Sequence, residues 1–372
     1  MKMLVVESAA KARTIQKYLR DEWAVLATGG HVQDLPSGPE HGKAGRKATF
    51  AEGRDGLPNP PWVWTDRGEQ AMRKIFDRAD KEGISEFFLA TDPDREGEFI
   101  AWRLQALLED RGATHRVTFH EVTADAIADA IGRPRRVDMH LVESASVRKF
   151  LDRFVGFRTS KLARAYLSGG GKASMGRVQT PTLGFIVERE LEREAHIPIP
   201  FFEVRALTAG DEGVEFSARF HEPKDPDAWR DDADKVHPTR TSHTALATET
   251  HGGLVSAGVL TITQAKRGAS SRKPRTAFST DQLLQAAGNR WGWSPGRTMR
   301  TATELYEGGH ITYIRTDSNR MSATFVESAR ALIEKDWGKD YLGAGAAAVK
   351  PTGKVQDAHE AIRPTRADVV KP

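Results

Sequence analysis

The sequence runs to 372 residues, long enough for two or more domains with hydrophobic cores of their own. It has no cysteine, which excludes disulfides and cysteine-ligated zinc and is compatible with a reducing cytoplasm. The net charge is only +4, and no apolar run reaches the roughly 18 residues of a membrane-spanning helix. Residues 1–6 are apolar and predict a buried strand ending at Glu7, which leaves no signal-like start. A helix is predicted over 11–19, with Lys11 near Glu7. Residues 23–28 predict a second strand, closed by Gly29 and Gly30 and followed by His31. From 34 to 61 the chain is rich in Gly, Pro and charge without periodicity, an irregular excursion. Residues 66–81 place Ala71, Met72, Ile75, Phe76 and Ala79 on one helical face.

The stretch 87–102, FFLATDPDREGEFIAW, organises the rest. Residues 87–90 form an apolar run short enough for a buried strand, and Phe99, Ile100, Leu104, Leu107 and Leu108 recur at helical spacing. Between them Asp92, Asp94 and Glu96 alternate as D-x-D-x-E. Three carboxylates thus sit where a strand ends and a helix begins, the edge at which open α/β sheets bind ligands. If strand one is parallel to this strand, Glu7 joins them as a fourth acid. Hard divalent cations take such oxygen donors, and Mg²⁺ is usually held by one or two carboxylates with water and phosphate completing the shell. The alternative is that the acids only complement a helix N-terminus. A strand over 116–119 and a helix over 124–131 follow, completing an alternating α/β domain over 1–137.

Residues 138–197 read as helical, broken at Ser168 and the three glycines after it. Residues 148–177 carry eight basic side chains against one acid, Asp152. Small and polar residues around 174–179 precede an apolar stripe, so Arg177 and Gln179 could face a ligand. The texture changes over 198–265, with strands predicted at 201–207, 214–220 and 259–263 around an acidic loop at 222–238. Little chemistry is expected there. Helical character returns over 266–372, notably at 280–287 and 296–306, and residues 266–300 again hold eight basic residues against Asp281. Two basic blocks in a nearly neutral chain point to a polyanion track, a solvated face being the plainer reading.

In GGHITYIRTDSNRMS, residues 308–322, an extended segment would turn Ile311, Tyr313 and Arg315 to one side. A free phenol is only about 0.1% ionised at neutral pH. A guanidinium beside it favours phenolate and can also hold charge on a phosphate. A structural tyrosine between two isoleucines is the other reading. There is no G-x-x-x-x-G-K-[ST] loop, which argues against a nucleotide-driven motor.

Several motifs together resemble the type IA DNA topoisomerases. LVVES with Lys11, ATDPDREGEFIAW, LDRFVGF, SMGRVQTPTLGFIVERE, LYEGGHITYIRTDSNRMS and HEAIRPT occur in that family's order across residues 4–365. ITYIRTDS is the most specific, since it looks like the nucleophile motif. The acid cluster is shared more widely, with the Toprim fold of primases, type II topoisomerases and some nucleases. The resemblance implies a Toprim Rossmann-like domain, helical DNA-binding and nucleophile domains, and a β arch segment joining them. It implies that Tyr313 attacks a phosphodiester of single-stranded DNA, leaving a 5′-phosphotyrosine, while Arg315 holds the phosphate. Glu7 matches the acid near the leaving 3′-oxygen and Lys11 a phosphate-contacting lysine. Glu7, Asp92, Asp94 and Glu96 match the Mg²⁺ acids. His31, Arg148, Asp152, Ser174, Arg177, Gln179, His359 and Arg363 match positions along the DNA path. Exchanging one phosphoester for another is nearly isoenergetic, so no nucleotide is expected. A monomer acting on single-stranded or underwound DNA in the cytoplasm, beside the nucleoid, is the implied state, without a membrane partner.

The pattern departs from the family in places. Type IA enzymes continue well past HEAIRPT, so a chain without the returning arch is expected to cleave DNA but relax supercoils poorly. Phe157 stands in LDRFVGF where many members have tyrosine. Two other readings remain: a Toprim metal-dependent nuclease with Tyr313 structural, and a non-catalytic single-strand-binding fragment.

Overall fold

The computed structural model describes residues 1–36, 62–167, 173–207, 213, 215–264, 267–270, 275–343 and 359–369. Most of the excursion expected at 34–61 and the glycine run after Ser168 lie outside them. The chain divides into two compact units, Met1–Arg177 with Lys273–Pro372, and Val178–Arg272.

The first unit is built on a parallel sheet. Strands β1 (Lys2–Val6), β2 (Trp23–Ala27), β5 (Glu86–Leu89) and β6 (Ala113–Arg116) pair in the order β2-β1-β5-β6. The remaining two strands of this region, β3 (Gln33–Asp34) and β4 (Val63–Trp64), form a separate antiparallel pair. Residues of β1 alternate between two cores, as the period of a strand requires. Met3 and Val5 pack with Met72 and Ile75 of α2 (Asp66–Glu82) and with Ile100 and Leu104 of α3 (Arg95–Leu108). Leu4 and Val6 face the other way, onto Ala12 and Ile15 of α1 (Ala9–Gln16). That second core also takes in Tyr306, Tyr313, Ile314 and Ile362. Apolar burial of this kind, about 25 cal/mol per Å², is what draws Ile314 and Ile362 onto the parallel sheet.

Further on come α4 (Ala124–Gly132) and the long α5 (Met139–Tyr166), capped by Asp138. The second unit contains α6 (Gln179–Ala195), the antiparallel pair β7 (Arg205–Leu207) and β8 (Glu215–Ser217), and α7 (Thr244–Ala257). The first unit resumes with α8 (Thr280–Trp291), α9 (Pro295–Glu307) and α10 (Ala323–Trp337).

Three local expectations are corrected. The strand predicted at 116–119 lies earlier, because its ladder with β5 ends at Leu89 opposite Arg116. Val117 N–H still donates to the Leu89 carbonyl at 3.1 Å, and the apolar side chains of Val117 and Phe119 enter the core. Residues 259–263 form no strand: Gly258, at φ +63, ends α7, and Val259, Leu260 and Ile262 remain exposed without a partner strand among the described residues. Residues 311–315 are not a regular strand either. Ile311 makes a single bridge to Pro364, and Tyr313 N–H donates to the His120 carbonyl at 2.8 Å.

Candidate active site

Two loops meet at the carboxyl edge of the sheet. One follows β5 and carries the D-x-D-x-E acids. Asp94 caps α3, its Oδ1 accepting from Gly97 N–H at 2.8 Å. Gly97 has to be glycine, since a Cβ there would lie 2.0 Å from the Asp92 carbonyl oxygen. The neighbouring strand β1 ends at Glu7, whose Oε1 accepts from Asp92 N–H at 3.0 Å. Ser8 caps α1 through Lys11 N–H, and the Lys11 ammonium reaches Asp92 Oδ1 at 2.8 Å.

The second loop follows α9. Thr312 Oγ1 donates to the Ala361 carbonyl at 2.7 Å and Thr312 N–H to that of Arg363 at 2.9 Å, which ties this loop to the HEAIRPT segment. Tyr313 is thereby turned to the acids. Its hydroxyl donates to Asp94 Oδ2 at 2.6 Å, and Arg315 Nη1 approaches the same oxygen at 3.4 Å. His359 stacks on the Tyr313 ring with centroids 5.7 Å apart, and His120 meets His359 edge-on. Asp94, Glu96, Arg148, Arg315, Asp317 and His359 help line a cleft of about 340 Å³.

A ladder of charge runs from the acids along α5. His31 Nε2 lies 3.2 Å from Glu96 Oε2, Arg148 lies 3.8 Å from Glu96 and 3.7 Å from Asp152, and Arg177 Nε donates to Asp152 Oδ1 at 2.9 Å. Arg363 packs its guanidinium over Phe325 and pairs with Glu121 at 3.1 Å and Glu360 at 2.7 Å. It is spoken for by these acids. Ser174 is exposed in the segment leading to Arg177. Gln179 opens α6 in the second unit.

Burial sets the protonation states. Burial, and then the charge of Asp92, raise the Glu7 carboxyl from 4.5 to about 7. Burial alone would lower Lys11, but Asp92, Tyr306 and Glu7 outweigh it, so the ammonium keeps its proton. Burial and the charges of Asp92 and Asp94 push the Tyr313 phenol well above its ordinary value, and Arg315 offsets only part of this. The expectation of a guanidinium-favoured phenolate is therefore reversed: the phenol is neutral and donates. Burial acts to raise Asp94 too, yet the hydrogen bonds from Tyr313 and Gly97 and the Arg315 charge hold it low.

The expected four-acid metal set is also redrawn. The Glu96 carboxylate is lowered first by its hydrogen bond to His31, then by Lys149 and Arg148, and it turns to that ladder and not to the other acids. Among the described residues no three His, Asp or Glu gather closely enough to hold a metal ion by themselves. Glu7, Asp92 and Asp94 nonetheless feel one another's charge. Their oxygens are hard donors of the kind that a divalent cation takes, one or two carboxylates at a time.

Two buried charges went unnoticed in the sequence. Arg116 Nη1 donates to the carbonyls of Leu89, Thr91 and Val117, and Nη2 to that of Asp92. Its Nε donates to Glu98 Oε1 at 2.9 Å, and Glu98 also binds Arg135 and the Asp138 N–H. The sequence signal is slight: Glu98 stands directly before the apolar Phe99 and Ile100, and Arg116 is flanked by His115 and Val117. Tyr306 also belongs to this layer, its ring edge-on to Tyr313 and its hydroxyl 3.5 Å from Asp92 Oδ1.

Comparison with known proteins places the chain in a family. The Toprim domain family matches residues 2–122, and the DNA topoisomerase family matches residues 136–371. DNA topoisomerase 1 of Pseudomonas aeruginosa is 33% identical over 98% of this chain and 43% of its own length. That of Campylobacter jejuni is 34% identical over 98% of this chain and 50% of its own. Full-length topoisomerase I from Thermotoga maritima superposes with a TM-score of 0.73 at 30% identity, covering 98% of this chain and 55% of that one. The chain spans about half or less of the length of these curated relatives.

Proposed function

The chain belongs to the DNA topoisomerase family, and from that premise we propose that it cuts a single DNA strand by transesterification onto Tyr313. The observation that carries this reading is the Tyr313 hydroxyl held 2.6 Å from Asp94 Oδ2 with Arg315 at the same oxygen. Tyr313 Oη attacks the phosphorus, and its proton passes to Asp94 Oδ2. The new bond is P–Oη, and the bond broken is P–O3′. Glu7, half-protonated near neutral pH, can deliver a proton to the leaving 3′-oxygen. Arg315 and Lys11 balance phosphate charge. Rejoining is the reverse, with the 3′-hydroxyl displacing the phenol, so no nucleotide is consumed.

Toprim domains typically bind a divalent metal. In this chain we assign Mg²⁺ to Asp92 and Asp94 with Glu7 beside them; when bound it would supply positive charge to the phosphate oxygens and the 3′-oxygen. The arginines of α5 and Arg177 would track the strand, with His31, Asp152 and Ser174 along its path and His359 and Arg363 backing the nucleophile. On this reading 1–137 is the Toprim domain, 138–197 the strand-binding segment, 198–265 the arch segment and 266–372 the nucleophile domain. The substrate is underwound or single-stranded DNA, the outcome relaxation of negative supercoils, and the setting a monomer in the cytoplasm. No helix among the described residues is long and apolar enough to cross a membrane.

Covalent capture tests the reading. A 5′- or 3′-labelled single-stranded oligonucleotide is incubated with the protein, denatured, and resolved for a protein–DNA adduct. The adduct should retain the label on the 3′ side of the cut and disappear in Tyr313→Phe. Cleavage without an adduct would favour the nuclease reading instead.

A further inference from the structure

The turn between α8 and α9 carries an aromatic and cationic cluster that the proposed chemistry does not use. Trp291 ends α8 and Trp293 stands two residues on, their ring centroids 5.1 Å apart and tilted by 38°. The Arg297 guanidinium lies over Trp293 at 4.3 Å, and that of Arg290 lies 5.7 Å from the Trp291 centroid. Trp293 is half-buried, but Trp291 is 59% exposed. An indole left this open to water forfeits a large apolar burial unless something covers it.

The turn that holds the pair is stiff. Gly292, at φ +66, ends α8 in the left-handed region, and Ser294 caps α9 through Arg297 N–H, with Pro295 in the first turn. The rings are therefore presented in place before any ligand arrives. The cations beside the rings, Arg290 and Arg297, favour a ligand that carries negative charge. The other end of α8 touches the nucleophile loop, Thr280 Oγ1 donating to the Ile314 carbonyl at 2.7 Å. The cluster thus lies one helix length from that loop, roughly 17 Å at 1.5 Å per residue.

We propose that Trp291, with Trp293 behind it and Arg290 and Arg297 beside it, is a stacking platform for an unpaired DNA base outside the cleavage site. The inference rests on the DNA reading above, but not on cleavage. Planar π-faces combined with cations suit single-stranded nucleic acid of any sequence.

The test uses the full chain carrying Tyr313→Phe, so that no adduct forms. Binding of labelled oligothymidylate is compared with binding of an abasic oligonucleotide of equal length, which keeps the phosphates and lacks the bases. Adding Trp291→Ala should weaken oligothymidylate binding about 5- to 150-fold, the range carried by one stacked base, and leave the abasic strand unaffected. Trp291→Phe should retain most of the affinity. Equal losses on both strands, or no loss on either, would overturn the platform; the second outcome would leave the exposed indole to a protein partner. Failure of the Tyr313→Phe chain to bind either strand overturns the platform together with the DNA reading, whereas binding without an adduct in the unmutated chain rejects only the cleavage chemistry.

Discussion

Lys11 and Asp92 form a buried ion pair, Nζ to Oδ1 at 2.8 Å, between residues 81 positions apart. The Lys11 side chain is only 2% exposed, whereas that of Asp92 keeps 20%. Removing one partner strands a charge inside the protein. Asp92→Ala should therefore cost about 3 kcal/mol of folding stability, the lower end for a broken buried pair because Asp92 is partly wet. The double variant Lys11→Met/Asp92→Ala should recover most of it. Urea unfolding of the single and double variants decides, and an additive double variant would show that the two charges are not coupled.

Glu7 and His120 should give the stability–pH curve two opposed slopes. The folded Glu7 carboxyl lies near 7, above its ordinary 4.5, so its contribution is full below 4.5 and is lost as pH rises through 7. Burial, with His359 adding to it, lowers His120 from 6.5 to about 4, so its contribution is present above 6.5 and is lost as pH falls through 4. Glu7→Gln should remove the decline between pH 4.5 and 7, and His120→Asn the decline between 6.5 and 4. Unfolding midpoints measured at half-unit intervals separate the two, and a curve unchanged by Glu7→Gln would contradict its burial as a carboxylate.

In the proposed chemistry Asp94 has a double task, receiving the Tyr313 proton and facing the cation. Asp94→Asn keeps the shape but loses the charge. It should lower adduct formation by at least tenfold and abolish the Mg²⁺ dependence of rejoining. In the unmutated chain, chelation with EDTA should trap adducts that added Mg²⁺ then reverses. Rejoining at equal rates with and without chelator would remove the cation from the site.

Glu98 holds Arg116, and Arg116 holds the backbone on which Asp92 sits. Both side chains are fully buried. Glu98→Ala leaves the guanidinium uncompensated and should cost about 3–5 kcal/mol. Glu98→Gln, which keeps a hydrogen-bond acceptor, should cost less. Thermal unfolding ranks the variants, and near-native stability of Glu98→Ala would mean that water replaces the carboxylate.

Local pattern determined much of this protein. The apolar runs at β1 and β5, the D-x-D-x-E acids at a strand-to-helix junction, and the Tyr313–Arg315 motif are short-range features, and periodicity with turn chemistry encodes them directly. What periodicity cannot encode is which distant groups meet and how much water they keep. The 219 positions between Asp94 and Tyr313 are closed by the apolar face that Leu4 and Val6 share with Ile314 and Ile362. Once closed, desolvation and neighbouring acids keep the phenol neutral against the pull of Arg315. The same packing turns Glu96 toward His31 and buries Glu98 with Arg116. A carboxylate's role depends on the charges and solvent around it, and only the tertiary structure brings those together.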